Sequence, residues 1–309
     1  MNFDEVKFPY LGFSVNVDPV AFSIGSFDIY WYGIIIGLAI LLCGFLAVKQ
    51  AKSQRFSEDL VYDILLSGLP GALIGARLYY VAFEWDYYSQ DIRRIFNIHS
   101  GGLAVYGGVI GAVIAVYIMC RIKKLPFVTV LDYAIVYIPL GQAIGRWGNF
   151  FNQEAFGTTT NLPWGMTSQR IYNYIAENCT NLDPSMPVHP TFLYESLFNF
   201  FLFGFLLYVR NYSEHKFETT SAYMFCYGFI RFLIEGLRTD ALYIGSTGIR
   251  ASQLLSLVII IIGLVLTLVS HWKEMRRTAL PASAFAYLRN DSNKDKQKKE
   301  ENTDGNKEA

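Results

Sequence analysis

The sequence is poor in charged residues, and this scarcity excludes most soluble folds. Lys, Arg, Asp and Glu make up 17% of the 309 residues, whereas a soluble domain carries about a quarter. Basic and acidic residues number 26 each, so no net charge favours nucleic acid or an acidic partner. Long uncharged runs occur at 31–48, 103–120 and 254–270. Because about 20 apolar residues span the core of a bilayer, these runs predict an integral membrane protein.

Cysteine is also scarce, with four residues. Cys43, Cys120 and Cys226 lie inside apolar runs, and Cys179 falls in a polar segment. No paired spacing indicates a disulfide or a zinc site, so we interpret the first three as small packing residues rather than catalytic thiols. The first 25 residues lack a basic region ahead of a short apolar core, so we expect no cleaved signal peptide and a retained first span.

The apolar windows predict an all-α polytopic membrane protein with about seven transmembrane helices. Eleven basic residues lie in the connections after the first, third and fifth windows and after the last one, against four on the opposite side. Such a bias marks the cytoplasmic side, so we expect the N-terminus outside and the C-terminus in the cytoplasm. Arg93 and Arg94 are the discordant pair. The predicted helices are 29–48, 60–83, 103–121, 128–149, 190–209, 220–238 and 250–271.

Three parts are expected along the chain. Residues 1–28 are predicted to form an extracytoplasmic segment and 29–271 a seven-helix transmembrane domain. Within this domain, 150–189 is too polar to span and long enough for a small extracytoplasmic cap. Residues 272–309 are predicted to be a polar cytoplasmic tail. We expect this tail to be disordered from about 287, because it has almost no apolar content there.

Polar residues inside the apolar windows are the strongest functional signal. A charged side chain at the centre of a membrane helix costs about 2.5–3.5 kcal/mol, and it normally faces the bundle interior, where it marks a functional path. At about 100° per residue, two helices place such residues on narrow faces. The fourth window has the polar stripe Gln142, Arg146, Asn149 and Gln153 beside small residues Gly141, Gly145 and Gly148; the sixth has Tyr227, Arg231, Glu235 and Arg238.

Arginines from three windows are predicted to lie at one depth in the outer half of the bilayer. They are Arg77, Arg146, and the pair Arg231 and Arg238. The planar guanidinium donates two parallel hydrogen bonds to phosphate and stays charged, so the pattern predicts a cradle for a phospholipid headgroup. Other interpretations remain open: an ion pair of Arg231 with Glu235 that only locks two helices, an Arg146 that reaches the interface, and glycines that serve packing alone.

Six motifs occur in order over about residues 20–270 and together resemble the prolipoprotein diacylglyceryl transferase family. They are W-Y-G at 31–33, G-A-R-L-Y-Y at 75–80, G-G-L-A-V-Y-G-G at 101–108, G-R-W-G-N-F-F-N-Q-E-A-F-G at 145–157, H-P-T-F-L-Y-E at 189–195 and Y-G-F-I-R-F-L-I-E-G-L-R-T-D at 227–240.

The resemblance implies an enzyme of the bacterial plasma (inner) membrane with its active site on the extracytoplasmic side. Such an enzyme transfers the diacylglyceryl group of phosphatidylglycerol to the thiol of the lipobox cysteine of an exported prolipoprotein. The products are a thioether and glycerol phosphate. No metal and no organic cofactor is implied.

This reaction needs groups that neutralise the departing phosphate, and electrostatic stabilisation is usually the largest catalytic contribution. We assign it to Arg146 and Arg231, with Asn149 as a neutral donor. Glu235 is expected to orient Arg231. The other residues predicted to bind phosphatidylglycerol are Glu154 below the cap, Tyr32, Arg77, Tyr80, Tyr227, and Arg238 near the surface, where glycerol phosphate would leave.

The base that deprotonates the thiol is left open by the sequence. Family members commonly have histidine where this chain has Tyr106, and a tyrosine pKa of about 10 exceeds the thiol pKa of about 8.5. Neutral Tyr106 is therefore a poor base, unless arginines lower its pKa, and fits a hydrogen-bond donor equally well. His189 and His99 are the other candidates; His189 also fits a histidine that bonds backbone at a helix start. A few per cent of a free thiol is ionised at neutral pH, so a dedicated base is not required.

Two other classes of protein, a transporter and a scaffold, fit the sequence less well than an enzyme. A transporter or lipid translocase would need polar residues in the inner halves of several spans, and the chain shows no internal repeat of the kind that marks many transporters. A non-catalytic membrane scaffold would gain nothing from buried arginines on three helices, which are costly.

Overall fold

The computed structural model describes residues 5–25, 27–54, 56–97, 101–213, 215–244 and 247–278, and these are mainly helical. Two antiparallel β-hairpins precede the first helix: β1 (Glu5–Phe8) with β2 (Phe13–Asn16), and β3 (Val20–Ile24) with β4 (Phe27–Tyr30). The helices are α1 (Trp31–Ala51), α2 (Glu58–Phe83), α3 (Trp85–Tyr88), α4 (Val105–Ile122), α5 (Phe127–Ala134), α6 (Ile138–Asn152), α7 (Gln169–Asn178), α8 (Thr191–Tyr212), α9 (Glu218–Glu235) and α10 (Ala251–Thr278).

Six helical stretches are long and apolar enough to cross a membrane, and each corresponds to a predicted window. The predicted count of seven is not confirmed. The window at 220–238 is helical as α9, but Glu218, Arg231 and Glu235 give it more charge than a typical span. The six stretches are Trp31–Gln54, Glu58–Phe83, Val105–Ile122, Phe127–Asn152, Thr191–Tyr212 and Ala251–Trp272.

The fourth window is broken rather than continuous. A short 3₁₀ turn, Ile135–Tyr137, separates α5 from α6, and Pro139 stands in the first turn of α6. Proline has no backbone N–H, and its ring clashes with the carbonyl four residues earlier. The helix therefore restarts at this point.

The backbones of α2 and α4 approach each other closely at their glycines. A Cβ atom built on Gly75 would lie 2.4 Å from the carbonyl oxygen of Gly107, and one on Gly111 would lie 2.2 Å from that of Gly71. Only glycine fits at such a crossing. In contrast, Gly148 in the small stripe of α6 faces the ring of Tyr32, 2.5 Å from a built Cβ atom. This stripe accommodates side chains of α1 rather than a neighbouring backbone.

The segment 150–189 has its own apolar core at one end of the helices. Ile171, Ile175 and Val188 are completely buried in it, together with Val6 and Val17 of the N-terminal segment. Two backbone hydrogen bonds, between Lys7 and Thr167, join the same two parts. The N-terminal segment and the predicted cap thus pack as one unit.

The C-terminal region is described only to residue 278, where α10 ends. The predicted disorder from about residue 287 lies outside the described residues.

Candidate active site

A buried carboxylate joins the two arginines that the sequence singled out. Glu195 on α8 is 2% exposed, and its Oε1 accepts a hydrogen bond of 2.7 Å from Nη1 of Arg231. Its Oε2 forms an ion pair with Nη2 of Arg146. On the other side, Nη2 of Arg231 lies 2.6 Å from Oε2 of Glu235. We call these four residues the arginine–glutamate cluster; its two positive and two negative groups balance.

The positions of these residues within their helices explain why they meet. Arg231 and Glu235 are one turn apart, at i and i+4, so their side chains face the same direction. Arg146 lies in the last two turns of α6, and Glu195 lies in the second turn of α8. Since α6 ends and α8 begins at the cap, the cluster is at the cap end of the bundle.

The cluster arginines keep hydrogen-bonding capacity for a ligand. A guanidinium has five N–H donors. Among the described residues, Arg146 has an ion pair with Glu195 and a hydrogen bond of 3.2 Å from Nη1 to Oδ1 of Asn149. Arg231 has ion pairs with Glu195 and Glu235. Each therefore retains donors, and the side chains are 22% and 17% exposed.

A cavity of about 590 Å³ opens beside Arg146. Tyr32, Arg146 and Asn149 line its charged end, and the wall then becomes mainly apolar along α1 and α2 as far as Ala47 and Val61. From Tyr32 to Ala47 the rise of α1 is roughly 22 Å. The cavity thus has one charged end and a long, mainly apolar interior, in which the polar side chains are Gln142, Tyr133, Tyr137 and Tyr227.

Asn149 links Arg146 to Glu154, because it accepts a hydrogen bond from Arg146 and donates one to Glu154. Nδ2 of Asn149 donates to Oε1 of Glu154 at 2.9 Å, and Asn152 donates to the same oxygen at 3.2 Å. The chain turns sharply here because Gln153 takes a left-handed conformation at the end of α6, with φ of 49°. This turn brings Glu154 back toward the helix, so the predicted residues of this motif lie together.

Arg77 does not join the cluster. All five of its N–H donors bind backbone carbonyl oxygens of the segment 94–102, at 2.7 to 3.0 Å. Its guanidinium is saturated, and its residue is 5% exposed. The structure therefore does not bring Arg77 together with Arg146 and Arg231, and its described hydrogen bonds are all to backbone; a role of Arg77 in binding the headgroup stays a prediction. Tyr80 lies beside Arg77, since a Cβ atom on Gly102 would meet both side chains.

In the described part of the chain, neither candidate base has a hydrogen bond to a residue of the cluster. Tyr106 is 42% exposed, and its hydroxyl is 3.4 Å from that of Ser252. His189 sits in the cap, where Nδ1 is 3.1 Å from the hydroxyl of Tyr194. Burial lowers the pKa of the His189 imidazole. His99 lies outside the described residues.

The remaining predicted residues border the cluster. Tyr227, one turn before Arg231, stacks on Tyr223 with ring centroids 5.3 Å apart and lines the cavity. Arg238 forms a bidentate pair with Asp240. Burial alone would raise the pKa of Asp240, but the hydrogen bonds and charge of Arg238 hold it below its usual value. Arg238 thus has a carboxylate partner outside the cluster.

Sequence reasoning missed Glu195 as a site residue. Its signal was present: a carboxylate inside the apolar window at 190–209, in the same motif as His189. A buried carboxylate needs a cationic partner. The sequence offers Arg146 and Arg231 in other windows, so a pair of one of them with Glu195 could have been predicted.

Comparisons with known proteins show the family of this chain. The sequence profile of the family described as prolipoprotein diacylglyceryl transferase matches residues 19–269. A protein of Finegoldia magna named phosphatidylglycerol–prolipoprotein diacylglyceryl transferase is 51% identical over 81% of this chain and 94% of its own length. Proteins of the same name from Clostridioides difficile and Pediococcus pentosaceus are 42% and 43% identical, over 81% and 84% of this chain and 94% and 92% of their own. The chain therefore belongs to the prolipoprotein diacylglyceryl transferase family and is a transferase.

Proposed function

We propose that this chain transfers the diacylglyceryl group of phosphatidylglycerol to the lipobox cysteine thiol of exported prolipoproteins, the first step of their maturation. The thiol sulfur forms a bond to the terminal glyceryl carbon, and the bond from that carbon to the phosphate oxygen breaks. Glycerol phosphate leaves with the electron pair, and the thiol proton passes to solvent or to the phosphate. The reaction needs no oxidant and no cofactor.

The observation that carries this proposal is that the charged cluster borders a mainly apolar cavity. Arg146 both lines the cavity and reaches Glu195, so a headgroup at the charged end of the cavity lies within its range. As the phosphate departs, it gains negative charge, and preorganised donors stabilise that charge best in a site with little water. Arg146 and Arg231 supply those donors, and Glu195 fixes their mutual orientation.

The shape of the cavity supports a lipid substrate. Among the described residues that line it, the one charged side chain is Arg146, at the end with Tyr32 and Asn149. The rest of the lining is mainly apolar, with the polar exceptions Gln142, Tyr133, Tyr137 and Tyr227. A diacylglyceryl chain would extend along the apolar wall, with the phosphodiester held at Arg146 and Asn149. Tyr32 would then lie beside the headgroup, as predicted.

The nucleophile is the ionised form of the substrate thiol, which forms without a dedicated base. Tyr106 and His189 make their described contacts elsewhere, and a few per cent of thiolate at neutral pH is strongly nucleophilic. The proton therefore needs no side chain of this enzyme to accept it.

We infer a seven-helix topology in a bacterial plasma (inner) membrane, with the N-terminus and the site on the extracytoplasmic side. α9 packs against both α8 and α10, and its charges are matched, because Arg231 pairs with Glu195 and Glu235. Matched charges lower the cost of placing this helix in a bilayer. The basic bias of the connections gives the direction.

Purified protein incubated with labelled phosphatidylglycerol and a lipobox peptide tests the reaction. We expect the peptide cysteine to gain the mass of one diacylglyceryl group. Arg146→Ala and Arg231→Ala should abolish this gain, and Arg170→Ala, at an exposed arginine of the cap, serves as the matched control that should retain it. Labelled lipid without a covalent peptide product would contradict the proposal.

A further inference from the structure

A second cluster of ionisable side chains lies at the opposite end of α9. His215 precedes α9, Glu218 is its first residue, and His271 is on α10. Glu218 and Arg231 are 13 residues apart in one helix, which places this cluster roughly 20 Å from the arginine–glutamate cluster. The two clusters are therefore separate, and nothing in the transferase reaction uses the second.

The two carboxylate oxygens of Glu218 make different contacts. Oε2 accepts hydrogen bonds from the hydroxyl of Ser213 at 2.7 Å and from the backbone N–H of His215 at 3.2 Å. Oε1 faces two imidazoles: it is 3.0 Å from Nδ1 of His215 and 3.7 Å from Nε2 of His271. One oxygen is thus anchored, and the other points to the histidines.

The ring of His271 is also held by a hydrogen bond at Nδ1, the nitrogen other than the one that faces Glu218. Its Nδ1 is 3.0 Å from the carbonyl oxygen of Thr267. A carbonyl only accepts, so Nδ1 carries the proton, and in the neutral ring Nε2 presents a lone pair toward Glu218. Metal-binding histidines show this arrangement, with the second ring nitrogen bonded to a backbone carbonyl or a carboxylate.

A neighbouring contact holds the two parts of this cluster together. The hydroxyl of Ser270 on α10 donates to the carbonyl oxygen of Lys216 at 2.7 Å. The rings of His215 and His271 are stacked with centroids 4.8 Å apart. The loop before α9 is therefore fastened to α10 beside the cluster.

From these contacts we infer that His215, Glu218 and His271 form a binding site for a divalent transition metal ion such as Zn²⁺. Their ligand atoms all lie within 4.8 Å of one another, and bonds of about 2.0–2.2 Å from Zn²⁺ to nitrogen and oxygen need only small side-chain rotations. Two imidazoles and one carboxylate are a ligand set that suits Zn²⁺ with water in the fourth position. Binding replaces the proton on Nδ1 of His215, which is released to solvent.

The site would join the α8–α9 connection to α10. His271 is exposed, so the ion has access from outside the helices. Because a ligand that binds only the folded state stabilises it, bound metal should raise the unfolding temperature. This inference does not depend on the proposed transferase reaction.

Metal titration of the whole chain tests the site. The full-length protein, in detergent micelles, without a polyhistidine tag and stripped with a chelator, is titrated with Zn²⁺ in a calorimeter. We expect one ion per chain with a dissociation constant in the micromolar range or below. His271→Gln should weaken binding at least tenfold and remove the rise in unfolding temperature, whereas His189→Gln, at a cap histidine, should bind Zn²⁺ as the parent protein does.

Two results would overturn the inference. One is equal Zn²⁺ affinity in the parent protein and in folded His271→Gln. The other is a Co²⁺-loaded parent protein without visible absorption from a site with nitrogen and oxygen ligands, a measurement that needs no variant. His215→Gln replaces His271→Gln if the latter does not fold.

Discussion

Arg77 and Arg146 are both arginines in the last turns of a membrane helix, yet their surroundings differ completely. Arg77 uses all five donors on backbone carbonyls of one loop. Arg146 contacts only a carboxylate and an amide in the described residues, and it borders a cavity. A guanidinium that is saturated supports structure, whereas one with remaining donors beside a cavity can bind a ligand.

The difference has a physical reason. Arg77 is buried, so its N–H groups need acceptors, since an unsatisfied buried polar group costs about 1–3 kcal/mol. Backbone carbonyls within 94–97 and 101–102 accept hydrogen bonds from all five of these N–H groups. Glu195 and Glu235 instead balance the charge of the cluster arginines without using all of their N–H groups.

Removing a cluster arginine should have the largest effect on activity. In Arg146→Lys or Arg231→Lys, the charge stays but the planar fork is lost. We expect kcat to fall about 10²–10³-fold, the range found when one donor to a developing oxyanion is removed. The measurement is the initial rate of peptide modification per folded molecule, with Arg170→Lys as control. Rates within threefold of the parent protein would show that Arg146 and Arg231 act only in packing.

Glu195→Gln should follow, with effects on both activity and stability. The substitution keeps the size of the side chain but leaves buried positive charge without its partner, and breaking a buried pair costs about 3–5 kcal/mol. We expect activity to fall about 10–10²-fold, with a lower unfolding temperature. Glu195→Asp, which keeps the charge, should recover part of both. No recovery of activity in a folded Glu195→Asp protein would count against a role in orienting Arg146 and Arg231.

Arg77→Ala should separate structure from chemistry. Five carbonyl groups lose their donor, so we expect a lower unfolding temperature and faster proteolysis within 94–102. Activity per folded molecule should stay within about threefold of the parent protein, because Arg77 has no donor left for substrate. Arg77→Lys should not restore stability, since an ammonium has only three donors. If fully folded Arg77→Ala loses more than tenfold in activity, Arg77 takes part in substrate binding.

The smallest effects are expected at the two candidate bases. Tyr106→Phe removes a hydroxyl with one long contact to Ser252, so activity should stay within about twofold. Burial lowers the pKa of the His189 imidazole, so its titration falls below the usual range of histidine and does not account for a rise in rate above pH 7.

The pH profile sharpens that expectation. If the thiol ionises by itself, the rate at limiting peptide should rise with pH up to the thiol pKa of about 8.5, because the thiolate fraction rises. His189→Gln should leave this profile unchanged between pH 6 and 8. A plateau that begins near pH 6 in the parent protein, and is lost in His189→Gln, would identify His189 as the base.

Hydropathy and helix periodicity let the sequence predict a great deal. Both are local properties: apolar runs define where helices cross the bilayer, and a spacing of four places Arg231 and Glu235 on one face. The six spans fall at their predicted positions for that reason. α9 is an exception. It forms a helix where the sequence predicts one, and it packs against α8 and α10, but its charged residues distinguish it from the six apolar spans.

By itself, the sequence determined the membrane class, the positions of the six spans among the seven it predicted, the family, and the presence of costly arginines in the helices. Only the tertiary structure decided which partner each arginine has. Glu195 meets Arg146 and Arg231 because three separate helices converge, and Arg77 meets a loop that follows it by some 20 residues. Side-chain partners across helices depend on packing in three dimensions, which no local pattern of residues encodes.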